Sequence, residues 1–186
     1  MDFSSFPAQW GWIALILGGV ALLMAVSPFL QMYFGRPKIL IEFTEDMIDG
    51  SKFLGCQISN PPLLHPLARF LKLHRESAED VWAGFEINED KTGKVIVPVI
   101  LPELNREGMP PARRITLPSS ITIARFPIVF YNPSGKQVKL VDKANAIVLP
   151  PGQYILIVKV IVSEKKVLAK RRFTIHADYH LRWLAN

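Results

Sequence analysis

The sequence predicts a mainly β protein: one N-terminal transmembrane α-helix, then an antiparallel β-sandwich that carries a short helical insertion. Three observations lead there. Residues 10–34, WGWIALILGGVALLMAVSPFLQMYF, hold no Asp, Glu, Lys, Arg or His. From residue 39 onward, short apolar stretches of period two recur between prolines, glycines and asparagines, the pattern of half-buried strands. Cys56 is the only cysteine in 186 residues, so no internal disulfide is available and a hydrophobic core must hold the body. The expected order is a leader 1–9, a span 10–34, a link 35–38, a sandwich 39–176 with an inserted loop or short helix at 60–75, and a tail 177–186.

The span comes first. As a helix its 25 residues reach about 37 Å, against a hydrocarbon core of about 30 Å. Trp10 and Trp12 at one end and Tyr33 at the other suit the two interfacial zones. A buried soluble helix is the alternative, but such length without a polar side is rare in a small domain. The leader carries Asp2 and no Lys or Arg, and no small-x-small site follows, so the segment is expected to stay as an anchor rather than be cleaved. Arg36, Lys38 and Lys52 follow the span and no basic residue precedes it, which implies an outside N-terminus and a cytoplasmic C-terminal domain. Gly11, Ala14, Gly18, Ala21 and Ala25 recur at spacings of three and four. Such a stripe lets a second helix approach closely, for self-association or another membrane protein. Pro28 is expected to bend the last turns.

In the link, Gly35 ends the helix and Pro37 prevents its restart. Four residues extend at most about 14 Å, which places the body at the bilayer surface. Strands are expected at 39–43, 53–59, 81–87, 95–101, 115–117, 120–126, 128–131, 136–141, 153–162 and 167–175, with turns at 88–93 and 132–135. Parity puts Leu54, Cys56 and Ile58 on one face, and Val81, Ala83, Phe85 and Ile87 on another, with Trp82 and Glu86 opposite. Cys56 thereby reads as a buried small hydrophobe rather than a nucleophile.

One motif sharpens the architecture. Leu149-Pro150-Pro151-Gly152-Gln153-Tyr154, entering a long apolar strand, resembles the tyrosine corner of immunoglobulin-like and fibronectin-type sandwiches. The resemblance implies that Tyr154 swings back to hydrogen-bond the upstream backbone and that its strand is strand F. It also puts Cys56 on strand B and Phe85 on strand C. The inter-sheet bridge of antibody domains is missing, because Leu156 stands two residues after Tyr154. The likeness concerns a superfold and names no activity.

Charge is unevenly placed within the net +6: residues 36–107 hold nine Lys/Arg against twelve Asp/Glu, and 108–186 hold thirteen against three. A basic second half beside a bilayer points to anionic headgroups or an acidic partner. No nucleic-acid recognition motif accompanies it. Lys165, Lys166, Lys170, Arg171 and Arg172 crowd one hairpin, either for headgroups or simply as solvated edge charges. In the insertion, a helical turn from Pro66 would align Leu67, Phe70, Leu71 and His74 on one side and Arg69, Lys72 and Arg75 on another. That turn either caps the sandwich core or lies among headgroups. Residues 154–162 are apolar on both sides, so Ile155, Ile157 and Ile161, broken by Lys159, are expected to face outward beside Trp82. This patch either binds a partner or is covered within the chain. His176, Asp178 and His180 alternate, but a chain end without a fourth ligand is a poor metal site. Trp183 and Leu184 are expected to anchor the tail against the domain or the membrane interface. No catalytic motif or cofactor motif appears. The expected role is therefore binding, as an accessory or structural subunit of a membrane assembly, with a headgroup- or polyanion-binding module as the alternative.

Overall fold

The computed structural model describes residues 8–48, 50–106, 110–120, 123–132, 137–140, 147–163 and 165–185. The leader before Ala8, the side chain of Trp10 and the turn at 133–135 lie outside the described residues. The chain forms two compact units: Met1–Pro37 with Pro62–Glu76, and Lys38–Pro61 with Ser77–Asn186.

The first unit contains helix α1, Ala8–Phe34, and the short helix α2, Pro66–Phe70. α1 runs through Pro28, and its Gly11–Phe34 stretch is long and apolar enough to cross a membrane, with none of its most apolar window buried. It stops at Gly35, whose N–H bonds Gln31 O at 2.7 Å. A side chain at Gly35 would collide with the Gln31 backbone and amide, so only glycine closes this end. The Gln31 amide then grips the insertion. Its Nε2 donates to His74 O at 2.7 Å, its Oε1 accepts from His74 N at 3.0 Å, and Glu76 N donates to Gly35 O at 2.6 Å.

α2 begins where His65 Nδ1 accepts from Leu67 N and Pro66 supplies a preset φ at the first turn. It ends in a Schellman motif: Leu73 N bonds Ala68 O at 2.7 Å, Lys72 N bonds Arg69 O at 3.1 Å, and Lys72 takes φ +54°. The helix thus ends before His74 and Arg75, and the two expected faces do not extend that far. Ala68 and Leu71 are buried, whereas Phe70 and Leu67 are 60% and 47% exposed.

The second unit is a two-sheet antiparallel sandwich, not a closed barrel. Its strands are β1 Leu40–Ile48, β2 Ser51–Ser59, β3 Ala78–Glu89, β4 Val95–Ile100, β5 Asn105–Arg106, β6 Ile115–Leu117, β7 Ile123–Asn132, β8 Gln137–Leu140, β9 Val148–Leu149, β10 Gly152–Val162, β11 Lys165–Ile175 and β12 Leu181–Trp183. One sheet has the order β1-β2-β7-β8-β9 with β5 on β7, and the other β12-β11-β10-β3-β4 with β6 on β3. Alternation supplies the core. Leu54, Cys56, Ile58, Phe126 and Ile128 from the first sheet meet Ala83, Phe85, Ile87, Leu156 and Phe173 from the second. Period two breaks once in β3, between Ala78 and Val81, where Asp80 at φ +51° absorbs the extra residue of a bulge.

Most strands run longer than expected, β1 to Ile48 and β3 over Ala78–Glu89, and two of the changes have a visible cause. The expected break between 126 and 128 is absent, because β7 runs through Pro127 at a bulge opposite Gly55. A Cβ on Gly55 would stand 2.8 Å from Phe126 O, so this glycine is what lets the two backbones close. The tail is not separate either: β12 pairs with β11, Phe173 opposite Trp183. Trp183 then bridges the sheets. Its Nε1 donates to Thr44 O on β1 at 3.0 Å, and its ring meets Phe43 and Phe173 edge-on at 5.3 and 5.9 Å.

Buried Asn60 fixes the end at which the chain enters the sandwich. It accepts from Lys38 N at 3.1 Å and donates to Leu117 O at 3.3 Å. The β10–β11 turn lies at the same end, since Ile161 stands opposite Trp82 near the start of β3.

Candidate functional site

The outward side chains of β3, β10 and β11 form the candidate face. β10 buries Tyr154, Leu156, Val158 and Val160 in the core, which turns Ile155, Ile157, Lys159 and Ile161 outward. Its neighbours follow by register. Trp82 stands opposite Ile161 and Glu86 opposite Ile157 on β3, while Lys166, Leu168, Lys170 and Arg172 line β11. The structure therefore brings together the five residues expected from sequence, Trp82, Ile155, Ile157, Lys159 and Ile161.

Electrostatics divide this face. Lys159 Nζ pairs with Glu86 Oε2 at 2.6 Å, and Asn88 Nδ2 donates to Glu86 Oε1 at 3.3 Å. The Lys159 hydrogen bond holds the Glu86 carboxyl below its usual range, against an opposing desolvation, with help from Asn88 and Lys170. Lys159 is thus internally neutralised, and its stem lies along apolar neighbours. Lys166 and Lys170 project from the β11 side, while Arg172 Nε reaches Asp90 Oδ1 at 3.2 Å.

The apolar area is wider than the sequence expectation. Val99 and Leu101 are 48% and 47% exposed, and both lie over Gly84, where a Cβ would come within 3.1 and 3.2 Å of them. The run VIVPVIL lacks any polar residue, a signal equal to that of β10. Gly84 leaves room above β3 for Val99 and Leu101, and its cross-strand partner is Lys159.

Tyr154 anchors the start of β10. Its hydroxyl donates to Pro150 O at 2.8 Å, and its ring stacks on Phe173 at 5.4 Å. Burial, with a smaller contribution from Glu89, raises its phenol pKa. This corner fixes the phase of the strand and hence which side chains point out.

The basic residues do not converge. Lys165 and Lys166 stand at the turn, Lys170 lies along the outer face, and Arg172 is paired with Asp90. Arg171 departs from the set altogether. Its guanidinium lies 5.1 Å from the Trp183 ring and 6.0 Å from Phe43, between the sheet edges. Arg69 and Lys72 are exposed in the first unit, with Arg75 half-buried. The stripe Gly11, Ala14, Gly18, Ala21 and Ala25 is exposed along α1, with nothing within 4 Å of a Cβ at Gly11 or Gly18.

Other candidates hold no reactive arrangement. Residues 176–180 form a turn: His176 N bonds His180 O at 3.0 Å, Tyr179 takes φ +63°, and Asp178 accepts from His180 N at 3.2 Å. Strand alternation therefore does not govern His176, Asp178 and His180. Among the described residues no group of three or more His, Cys, Asp or Glu is placed to hold a metal. Burial drives the Cys56 thiol far above its ordinary range, against a smaller pull from Arg171, and shields it from reagents while the sandwich is closed. An open pocket of about 340 Å³ beside β12 is lined by Gln153, Thr174, His176 and Arg182 with Trp183 and Leu184. There the Thr174 hydroxyl donates to Gly152 O at 3.3 Å. No family model matches the chain, and no curated protein is similar to it in sequence.

Proposed function

We propose that the chain is a single-pass membrane protein whose immunoglobulin-like sandwich is a binding module, an accessory or structural subunit of a membrane assembly. The carrying observation is the outer face around Trp82, Ile155, Ile157 and Ile161. It is apolar and half-buried, with Ile157 only 9% exposed; the exposed Val99 and Leu101 widen it, and its central Lys159 is already paired with Glu86. An apolar sheet face edged by exposed side chains such as Val99 and Leu101 is the kind of surface on which partners dock. The uncovered apolar length of α1 supports the anchor. The immunoglobulin-like assignment is supported by β10 lying between β11 and β3, the places of strands G and C, and by the Tyr154 corner bond. The small-residue stripe of α1 offers a second contact within the bilayer, and Arg36, Lys38 and Lys52 orient the domain to the cytoplasm.

Co-purification of the full chain in mild detergent tests this reading. A stoichiometric membrane-protein partner that is lost from Trp82→Ser/Ile157→Ser supports it; a full chain that purifies alone from its native membrane contradicts it. The second reading, headgroup or polyanion binding through the basic half, is favoured by Lys165 and Lys166 at the end where the chain enters the sandwich. Co-purified lipid or nucleic acid, released by salt and reduced by Lys165→Gln/Lys166→Gln, would select it.

A further inference from the structure

We infer that the 62–76 insertion is a second membrane contact, with Leu64, Leu67 and Phe70 embedded at the lipid interface and Arg69 and Lys72 on anionic headgroups. The inference rests on the proposed anchorage of α1 and adds a surface and a lipid chemistry to it.

Four observations within the first unit lead there. Leu64 is 79% exposed, beside the exposed Leu67 and Phe70, so three large apolar side chains project from eleven consecutive residues that bury only Ala68 and Leu71. Second, the projection is built, not incidental. Pro66 and His65 start the helix and the Lys72 Schellman turn stops it, which holds Phe70 and Leu67 out at the cost of a left-handed lysine. Third, Arg69 and Lys72, also exposed, lie beside those apolar groups with no acidic residue from 62 to 75. Apolar side chains interleaved with basic ones match the boundary between acyl chains and phosphates.

The fourth observation sets the depth. Gln31 is in the last turn of α1, next to Tyr33 and Phe34, and it binds His74 through both amide atoms while Gly35 O receives Glu76 N. These three bonds pin the insertion to the end of the span, where aromatic side chains settle at headgroup level. An apolar turn pinned there meets lipid before any soluble partner.

Depth-dependent quenching in the full chain tests this. Leu64→Cys and Phe70→Cys, one at a time, receive an environment-sensitive fluorophore; native Cys56 is buried and stays unlabelled. The labelled chain is placed in nanodiscs containing anionic phospholipid and nitroxide lipids, with the spin label either near the headgroup or at the chain end. Leu15→Cys in α1 is the reference. The expected result is a blue-shifted Phe70 and Leu64 label, quenched more by the headgroup-proximal nitroxide, and a Leu15 label also quenched. Water-like emission without quenching at both insertion sites, or stronger quenching by the deep nitroxide, overturns the inference while a quenched Leu15 label leaves the anchor standing. If the Leu15 label also escapes quenching, the anchor itself fails and the inference falls with it.

Discussion

Trp183→Ala is the most informative single change, because it separates a tail that merely trails from a strand that closes the sandwich. The ring makes edge contacts with Phe43 and Phe173, each worth about 0.5–1.5 kcal/mol beyond buried area. Its Nε1 bond to Thr44 O adds about 0.5–1.5 kcal/mol, and the Arg171 guanidinium at 5.1 Å about 0.5–1 kcal/mol. The expected loss is roughly 3 kcal/mol, at the lower edge of the range for large aromatic truncations. Cys56 is the natural reporter. It is the only cysteine, is buried, and stands opposite Phe43 in the β1–β2 register. Alkylation of Cys56 under native conditions then tracks the open population when closing outpaces the reagent. At 1.4 kcal/mol per decade, Trp183→Ala should speed alkylation about 100-fold. A change within about threefold, the size of an exposed surface substitution, would refute the role given to β12.

Three further outcomes follow from the same reporter or from pH. Tyr154→Phe keeps the stack on Phe173 but loses the bond to Pro150 O; a cost of about 1 kcal/mol should speed Cys56 alkylation about fivefold. Gly55→Ala forces a methyl to 2.8 Å from Phe126 O, and the shift needed should cost about 1–3 kcal/mol, read as a lower melting temperature. The Glu86 carboxyl has a folded pKa below its ordinary 4.5, so its stabilising contribution is complete above that value and is lost as pH falls through the folded pKa. Glu86→Gln should flatten this acid limb of the melting temperature, and an unchanged limb would deny the Lys159 pairing its role.

What the sequence made legible is what depends on parity. Phe85 inward and Trp82 outward follow from period two alone, as do the buried Cys56 and the turning of Ile155, Ile157 and Ile161 of β10 away from the core; the burial of Ile157 on that outer face, at 9% exposed, does not. Tyr154 was legible because its bond partner, Pro150, is four residues away. Features set by distant partners were not. Pro127 reads locally as a strand break, yet Gly55 across the ladder supplies the bulge that accommodates it. β12 is three residues long after a polar turn, and its reason for existing is Thr44 and Phe43 on the opposite sheet. Arg171 reads as one more surface charge until Phe43 and Trp183 close around it. In the insertion, a continued helix was assumed past Lys72, where the left-handed φ instead ends it.

Alkaline carbonate extraction of membranes containing the intact chain tests the central claim most directly. The Gly11–Phe34 helix, 24 residues long and apolar enough to cross lipid, should keep the full-length protein in the membrane pellet, while peripheral proteins are released. Full-length chain recovered in the carbonate supernatant would contradict the anchor, and with it the placement of the sandwich as a membrane-held binding module.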